Sequence, residues 1–216
     1  MPQTKQNLPT LCLITDRRRC VADGLIQTVA KALTAGVRLI QLREKDLSGK
    51  ELFKYAEALR EVTLKHGALL IINGRADVAI AVKADGVHLG QTDYSPNDIL
   101  PFVPKGFIVG VSTHSKEEAI KAEKDGAHYI TFGPVWPTPS KAGYGKPVGI
   151  EKLREVVKSV TIPVFAIGGV KKQNVNTALI SEAHGIAIIS AIIAADDPAL
   201  SAKGIIEEAR KTKETQ

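Results

Sequence analysis

Short apolar segments alternate with helix-like segments along the whole chain, and this alternation constrains the fold more than any other feature. The helix-like segments carry apolar residues at intervals of three and four, as in Gly49–His66 and Lys116–Lys124. Eight apolar segments have the length and composition of buried strands: Leu11–Thr15, Leu39–Arg43, Leu69–Asn73, Gly86–Gly90, Phe107–Thr113, Tyr129–Val135, Pro163–Gly169 and Gly185–Ala191. Consecutive parallel strands need crossover connections, so this order predicts a parallel sheet with crossover helices.

A repeated glycine supports this division of the chain. Gly36, Gly86, Gly126 and Gly185 each stand between a helix-like segment and the next strand, where glycine ends helices by adopting the left-handed conformation at no cost. Eight strand–helix units in 216 residues fit a (β/α)8 barrel near its lower size limit. A doubly wound open sheet is the alternative, but the first strand lacks the G-x-G-x-x-G motif of that class. We predict an α/β fold, a single-domain (β/α)8 TIM barrel over residues 1–216, with loosely ordered tails at 1–9 and 212–216.

Composition narrows the class of protein. With 44% hydrophobic and 24% charged residues the chain can bury a substantial core, and no apolar stretch reaches membrane-spanning length. The polar start, Met1–Thr10, predicts a cytoplasmic protein. Cys12 and Cys20 are expected to be free thiols, and the five dispersed histidines suggest no structural zinc site. The net charge of +6 comes from scattered cations, which disfavours nucleic-acid binding and suits a small anionic ligand.

Polar residues follow the apolar segments, where a (β/α)8 barrel places its functional groups. Gln41, Arg43 and Lys45 would share one face of the second strand, because side chains alternate along a strand. These cations either meet an anionic ligand, or simply emerge into solvent or pair with Glu44 and Asp46. Further polar residues end the next strands, namely Asn73, His88, Asp93 and Ser112. His88 either contacts a substrate or forms hydrogen bonds inside the barrel.

Two anion-binding sets are expected at this end of the barrel. Gly168-Gly169 after the seventh strand and the turn after the eighth strand match the phosphate site common in barrels, although the glycine pair could also only make a tight turn. Arg43, Lys45 and Lys141 form the second set, with Asn73 and Ser112 as neutral donors. Lys141 lies in a long loop after the sixth strand, typical of a lid or binding loop. Two anion sites at one mouth suggest two phosphorylated substrates or one substrate with a phosphate at each end.

An ordered series of motifs resembles the thiamine-phosphate synthase family over nearly the whole chain. The motifs are Gln41–Lys45, Ala84–Gln91, Gly110–Ser115, Phe132–Val135 with Pro137–Lys141, and Ala166–Gly169. The resemblance implies a transferase that joins 4-amino-2-methyl-5-hydroxymethylpyrimidine diphosphate to 4-methyl-5-(2-phosphoethyl)thiazole, or its carboxylated form, and releases diphosphate. It implies Mg²⁺ as cofactor and a dissociative reaction through an amino-stabilised pyrimidine cation.

The resemblance also implies site residues. Arg43, Lys45, Ser112 and Lys141 would be catalytic. The pyrimidine diphosphate would be bound by Gln41, Leu42, Arg43, Glu44, Lys45, Asn73, Ser112 and Lys141. The thiazole phosphate would be bound by Thr138, Pro139, Ser140, Gly169, Ile189 and Ser190. Asp93 would be a magnesium ligand, and Gly74 stands where the family has a second aspartate ligand.

Because Gly74 stands in place of an expected aspartate ligand, two alternative functions remain. The sequence Asn73-Gly74-Arg75 also resembles the thiazole tautomerases, which share the fold but sometimes use a histidine in the strand-six loop, where this chain has Pro134. A non-catalytic regulator that binds thiamine phosphates is the third candidate. The expected partners are two small phosphorylated substrates, with no nucleic acid and no membrane, and the chain is either a monomer or a homo-oligomer.

Overall fold

The computed structural model describes residues 8–21, 24–138 and 146–215, which form a closed barrel of eight parallel strands. The strands are β1 Leu11–Ile14, β2 Leu39–Leu42, β3 Leu69–Asn73, β4 Gly86–Leu89, β5 Ile108–Thr113, β6 Tyr129–Phe132, β7 Val164–Ile167 and β8 Gly185–Ile188. Each strand pairs with its sequence neighbours, and β8 closes the barrel on β1. The predicted (β/α)8 barrel is therefore confirmed.

Helices follow the strands and cover the outside of the barrel. They are α1 Gly24–Thr34, α2 Gly49–Lys65, α3 Ala76–Ala81, α4 Pro96–Ile99, α5 Lys116–Lys124, α6 Gly149–Ser159, α7 Val175–Ile180, α8 Ser190–Ile193 and α9 Pro198–Glu214. Short 3-10 helices lie at Arg17–Arg19, Leu100–Phe102 and Lys172–Asn174. Ser48 begins α2 with a capping box, in which its hydroxyl and the Glu51 side chain satisfy each other's backbone N–H groups.

Alternation along the strands divides the apolar residues into two layers. Inward-facing side chains fill the barrel interior, among them Ile14, Leu39, Ile71, Tyr129 and Phe165. Outward-facing side chains pack against the helices in the larger layer that includes Leu42. Because all strands are parallel, their carboxyl ends share one rim, and the polar residues that follow the strands meet there.

Several boundaries differ from the sequence prediction. β6, β7 and β8 end earlier than predicted, at Phe132, Ile167 and Ile188. The chain leaves β7 at Gly168, which has φ +92, and α8 begins at Ser190, so the predicted strands had absorbed the turns that follow them. α9 continues to Glu214 and buries Thr212, so it includes part of the tail predicted at 212–216. Residues 1–7 lie outside the described residues.

Both cysteines are free thiols. Cys12 lies inside the barrel, where burial raises the pKa of its thiol to about 12 and makes it unreactive. Over the described ranges, none of the helices has the length and apolar character needed to cross a membrane.

Candidate active site

Two cations at the end of β2 lack carboxylate partners within the described part of the chain. Gln41 is buried in the barrel, Arg43 is half-buried and Lys45 is exposed, as expected for one strand face leaving the barrel. Asp46 and Glu44 both pair with Arg17 instead, at 2.7 Å and 3.2 Å. The alternative that Glu44 and Asp46 neutralise Arg43 and Lys45 is therefore wrong, and both cations remain available to an anionic ligand.

Glu44 is held on the β1 side of the rim. Its carboxylate accepts hydrogen bonds from the Thr15 hydroxyl at 2.7 Å, the Arg17 backbone N–H at 3.0 Å and the Arg17 guanidinium at 3.2 Å. The Thr15 hydroxyl in turn accepts from the Arg43 backbone N–H at 2.9 Å. Glu44 therefore fixes the backbone that carries Arg43 and Lys45. Its side chain is committed to this role, which the resemblance did not imply.

Arg17 and Thr15 are site residues that sequence reasoning missed. Arg17 also makes two 2.7 Å hydrogen bonds to Asp46 and holds the pKa of that carboxyl well below its usual range. The only sequence signal was the polar run Thr15-Asp16-Arg17 directly after the first strand.

Gln41 presents an unsatisfied acceptor inside the barrel. Its Nε2 donates to Asn73 Oδ1 at 3.1 Å, whereas its Oε1 is buried and has no hydrogen-bond partner in the described residues. A buried polar atom without a partner is costly and is rare in native proteins. Gln41 Oε1 is therefore positioned to accept a hydrogen bond from a ligand. The side chain of the neighbouring Leu42 packs in the outer layer, so any ligand contact there would use its backbone.

His88 forms hydrogen bonds inside the barrel, which selects one of the two alternatives drawn from the sequence. Its Nδ1 lies 3.0 Å from the Tyr129 hydroxyl and its Nε2 lies 2.9 Å from Ser112 Oγ. Burial, with a smaller contribution from the Arg43 charge, lowers the pKa of His88 to about 3. His88 is therefore neutral, with one ring nitrogen donating and the other accepting.

Asp93 and Gly74 lie side by side at the rim. Asp93 Oδ2 accepts from the Gly90 N–H at 2.7 Å, and a Cβ built on Gly74 would lie 3.2 Å from the same oxygen. Any side chain substituted at position 74 would thus lie directly against Asp93. No group of three or more His, Cys, Asp or Glu side chains that could hold a metal occurs over the described ranges. The donor set fits Mg²⁺, which can bind through one carboxylate, substrate phosphates and waters.

The glycine pair after β7 packs against the strand-six loop. Gly168 and Gly169 have φ of +92 and +68, and Cβ atoms there would lie 2.5 Å from Pro134 Cβ and 2.6 Å from the Pro137 carbonyl oxygen. The Trp136 N–H also donates to the Gly168 carbonyl at 3.0 Å. Both positions therefore require glycine for close packing, whether or not a phosphate also binds there.

The remaining predicted thiazole-phosphate residues are only partly described. Ile189 is half-buried and Ser190 exposed at the end of β8, and Thr138 is half-buried in the strand-six loop. Pro139, Ser140 and Lys141 lie outside the described residues. The structure therefore brings Gly169, Ile189 and Ser190 to the same rim as Arg43, and leaves the position of Lys141 a prediction from sequence.

The structure is a closed parallel barrel. Among the residues that it describes, the carboxyl rim carries two cations without carboxylate partners, a buried acceptor without a hydrogen-bond partner, and neutral hydroxyls. These features define a class of protein, the barrel enzymes that bind small anionic substrates at this end. Comparison with known proteins identifies the family. The thiamine monophosphate synthase family model matches residues 11–192, and the chain belongs to this family.

Individual proteins similar to this chain are in line with the family match. The chain is 48% identical over 185 residues to the thiamine-phosphate synthase of Archaeoglobus fulgidus, covering 84% of this chain and 85% of that protein. It is 43% identical over 198 residues to that of Chlorobium luteolum, covering 92% of both chains. A solved structure of thiamine phosphate pyrophosphorylase from Pyrococcus furiosus superposes with a TM-score of 0.86 at 37% identity, covering 94% of this chain and 96% of that one.

Proposed function

We propose that this protein is a cytoplasmic, Mg²⁺-dependent transferase that condenses 4-amino-2-methyl-5-hydroxymethylpyrimidine diphosphate with 4-methyl-5-(2-phosphoethyl)thiazole, giving thiamine phosphate and diphosphate. One observation carries the proposal beyond family membership. Within the described ranges Arg43 and Lys45 have no carboxylate partner, and they leave the same strand face as Gln41, whose buried Oε1 has no hydrogen-bond partner there either. A ligand that is anionic at one end and carries an amino group at the other satisfies both requirements.

Gln41 suits the pyrimidine. Its Oε1 would accept from the 4-amino group, while Asn73 fixes the orientation of the Gln41 amide from the opposite side. An amino group that becomes more positive is a better hydrogen-bond donor, so this contact strengthens as the pyrimidine cation develops.

The bond between the pyrimidine methylene carbon and the diphosphate oxygen breaks, and its electron pair leaves with the oxygen. The thiazole nitrogen then forms a bond to the same carbon. Neither step removes a proton, so the site needs no strong base. A neutral His88 and a rim with cations and hydroxyls agree with that requirement.

Charge on the departing diphosphate is the main electrostatic problem. Arg43, Lys45, Ser112 and, by resemblance, Lys141 would hold the diphosphate and stabilise the leaving group. Asp93 would hold Mg²⁺, which when bound would neutralise further charge on the diphosphate oxygens. Gly169 and Ser190, together with Thr138, Pro139, Ser140 and Ile189, would bind the thiazole phosphate.

The direct test is to incubate purified protein with both substrates and Mg²⁺ and to measure thiamine phosphate by chromatography. Formation of thiamine phosphate in proportion to enzyme supports the proposal. Isomerisation of a thiazole carboxylate phosphate without coupling would instead assign the tautomerase function, and binding of thiamine phosphate without turnover would assign the regulator.

Arg43→Ala is expected to lower kcat/KM for the pyrimidine diphosphate by roughly ten- to a hundredfold. A hydrogen bond to a charged group contributes about 1.5–3 kcal/mol, and each 1.4 kcal/mol is about a factor of ten. Steady-state kinetics with each substrate varied in turn would measure the effect. Lys65→Ala removes one exposed positive charge at the far end of α2 and serves as the control. Equal rate losses in the two variants would contradict a local role for Arg43.

Gly74→Asp is expected to make thermal stability depend on Mg²⁺. The new Cβ would lie 3.2 Å from Asp93 Oδ2, so two carboxylates would repel without a cation and share one when it is present. Aspartate tolerates the left-handed backbone of residue 74 better than most residues. Differential scanning calorimetry would show a lower Tm without Mg²⁺ and a larger rise on adding it than in the natural protein. Gly74→Asn has the same shape without the charge, and an equal Mg²⁺ response in that variant would refute the explanation.

A further inference from the structure

Three polar side chains form a line across the barrel interior, from the core to the rim. The Tyr129 hydroxyl lies 3.0 Å from His88 Nδ1, and His88 Nε2 lies 2.9 Å from Ser112 Oγ. Tyr129 and His88 are buried, whereas Ser112 is partly exposed. The line therefore connects a sealed interior group to a hydroxyl that a ligand can reach.

Which atom donates in each of these two hydrogen bonds follows from the need to pair every buried donor. Burial raises the pKa of Tyr129 well above its usual value, so its hydroxyl keeps a hydrogen that must be donated. Among the described residues, the partner found for that hydroxyl is His88 Nδ1. Leaving a buried donor unpaired is costly, so Nδ1 accepts. His88 is neutral, so its Nε2 then carries the ring hydrogen and donates to Ser112 Oγ.

The tautomer decides what Ser112 can offer a ligand. An Oγ that accepts from His88 has its own hydrogen free to point elsewhere. Thr131 Oγ1 is also near Nε2, but at 3.4 Å it is the weaker contact. Arg43 directly follows β2 and Ser112 lies near the end of β5, so both residues reach the carboxyl rim of the barrel. Ser112 can thus donate to a ligand bound at the rim that also carries Arg43.

We infer that Tyr129 and His88 are positioning residues that orient the Ser112 hydroxyl as a hydrogen-bond donor to the substrate diphosphate. The inference rests on the proposed function. With the opposite tautomer, Ser112 would donate to Nε2 and turn its lone pairs toward the diphosphate oxygens, which repel them. The Tyr129–His88 contact is what excludes that arrangement.

The fold holds the tyrosine ring in place for this task. A Cβ on Gly110 would lie 2.2 Å from Tyr129 Cζ, so the ring packs directly over the glycine backbone of β5. On its other side Phe165 meets the ring edge-on, with centroids 5.5 Å apart. Removing only the hydroxyl should therefore leave the ring where it is, so Tyr129→Phe tests the hydroxyl without disturbing the packing of the ring.

The kinetic test is a double-mutant cycle of Tyr129→Phe and Ser112→Ala. Tyr129→Phe should lower kcat/KM for the pyrimidine diphosphate roughly fivefold to tenfold and leave KM for the thiazole phosphate unchanged. In the Ser112→Ala background the same change should have no further effect, because the hydroxyl that it orients is gone. Tyr55→Phe, which removes a hydroxyl from α2, is the matched control and should be silent. An undiminished loss in the Ser112→Ala background would overturn the inference.

A measurement without substrate separates this inference from the proposed function. Nitrogen-15 NMR of the histidine rings should show His88 as the Nε2–H tautomer in the natural protein and as a mixture of tautomers in Tyr129→Phe. A natural protein with hydrogen on Nδ1 would refute the inference even if thiamine phosphate is formed. If no thiamine phosphate forms but the Nε2–H tautomer is found and is lost in Tyr129→Phe, then the proposed function fails and the orientation of Ser112 stands.

Discussion

Glu44→Ala is expected to lower the free energy of unfolding by about 3 kcal/mol, because it leaves the buried Thr15 hydroxyl and the Arg17 backbone N–H without their acceptor. The Glu44 carboxylate is 2% exposed and accepts from Thr15 and from Arg17, whose guanidinium and backbone N–H would lose a partner. The variant should also lower kcat/KM, since Glu44 fixes the backbone that carries Arg43 and Lys45. Urea unfolding followed by circular dichroism would measure the first effect, and steady-state kinetics the second.

Asp46→Ala provides the matched control for Glu44→Ala. Asp46 pairs with the same Arg17 guanidinium at 2.7 Å, but its side chain is 38% exposed, and exposed ion pairs contribute about 1 kcal/mol or less. We therefore expect a small change in stability and in kcat/KM. If the two variants were equally destabilised, burial of Glu44 would not be the reason for its effect.

The barrel could be predicted from the sequence because its signal is repeated along the whole chain. Each strand is apolar on both faces, since one face fills the interior and the other packs under the helices, and this makes it recognisable as a continuous apolar run. Strand ends were less well predicted. Val135 and Ala191 extend apolar runs beyond β6 and β8, although the backbone has already left the sheet there.

The sequence predicted which residues share the rim where this depends only on position along a strand. Gln41 and Ser112 lie near the ends of apolar runs, and Arg43 and Asp93 follow such runs. The parallel fold brings all four residues to one rim. Arg17 was missed because its role depends on a contact between strands. β1 must lie beside β2, with Ile14 level with Gln41, before Arg17 can reach Glu44.

Tyr129 was missed for a different reason. As the first residue of an apolar run it resembles any core aromatic residue, and its hydroxyl acquires meaning only through the neighbouring strands. Pairing across β4, β5 and β6 brings His88 next to Gly110 and Gly110 next to Tyr129. The missing side chain at Gly110 then leaves room for the ring, and this relation between three strands has no counterpart in a local sequence pattern.

Asp93→Ala is expected to lower kcat at saturating substrate by about a hundredfold or more and to weaken its dependence on Mg²⁺. A metal ion on a transferring group can contribute several kcal/mol of charge stabilisation, and each 1.4 kcal/mol is about a factor of ten in rate. Asp93 is the acidic side chain that lies against Gly74, and a glycine there offers no second carboxylate that could replace it as a ligand. Initial rates of thiamine phosphate formation across a Mg²⁺ titration would measure both effects.

Asp93→Asn distinguishes a role of Asp93 in binding Mg²⁺ from its hydrogen bond to the Gly90 N–H. Asp93 Oδ2 also accepts from the Gly90 N–H at 2.7 Å, so alanine removes a structural hydrogen bond together with the charge. An asparagine side-chain oxygen can keep that hydrogen bond but is a much weaker ligand for Mg²⁺. The asparagine variant should therefore have the same Tm as the natural protein and still lose nearly as much activity as the alanine variant. If it kept the natural rate and the natural Mg²⁺ response, the hydrogen bond to Gly90 would be the whole function of Asp93, and the proposal that Asp93 holds Mg²⁺ would be wrong.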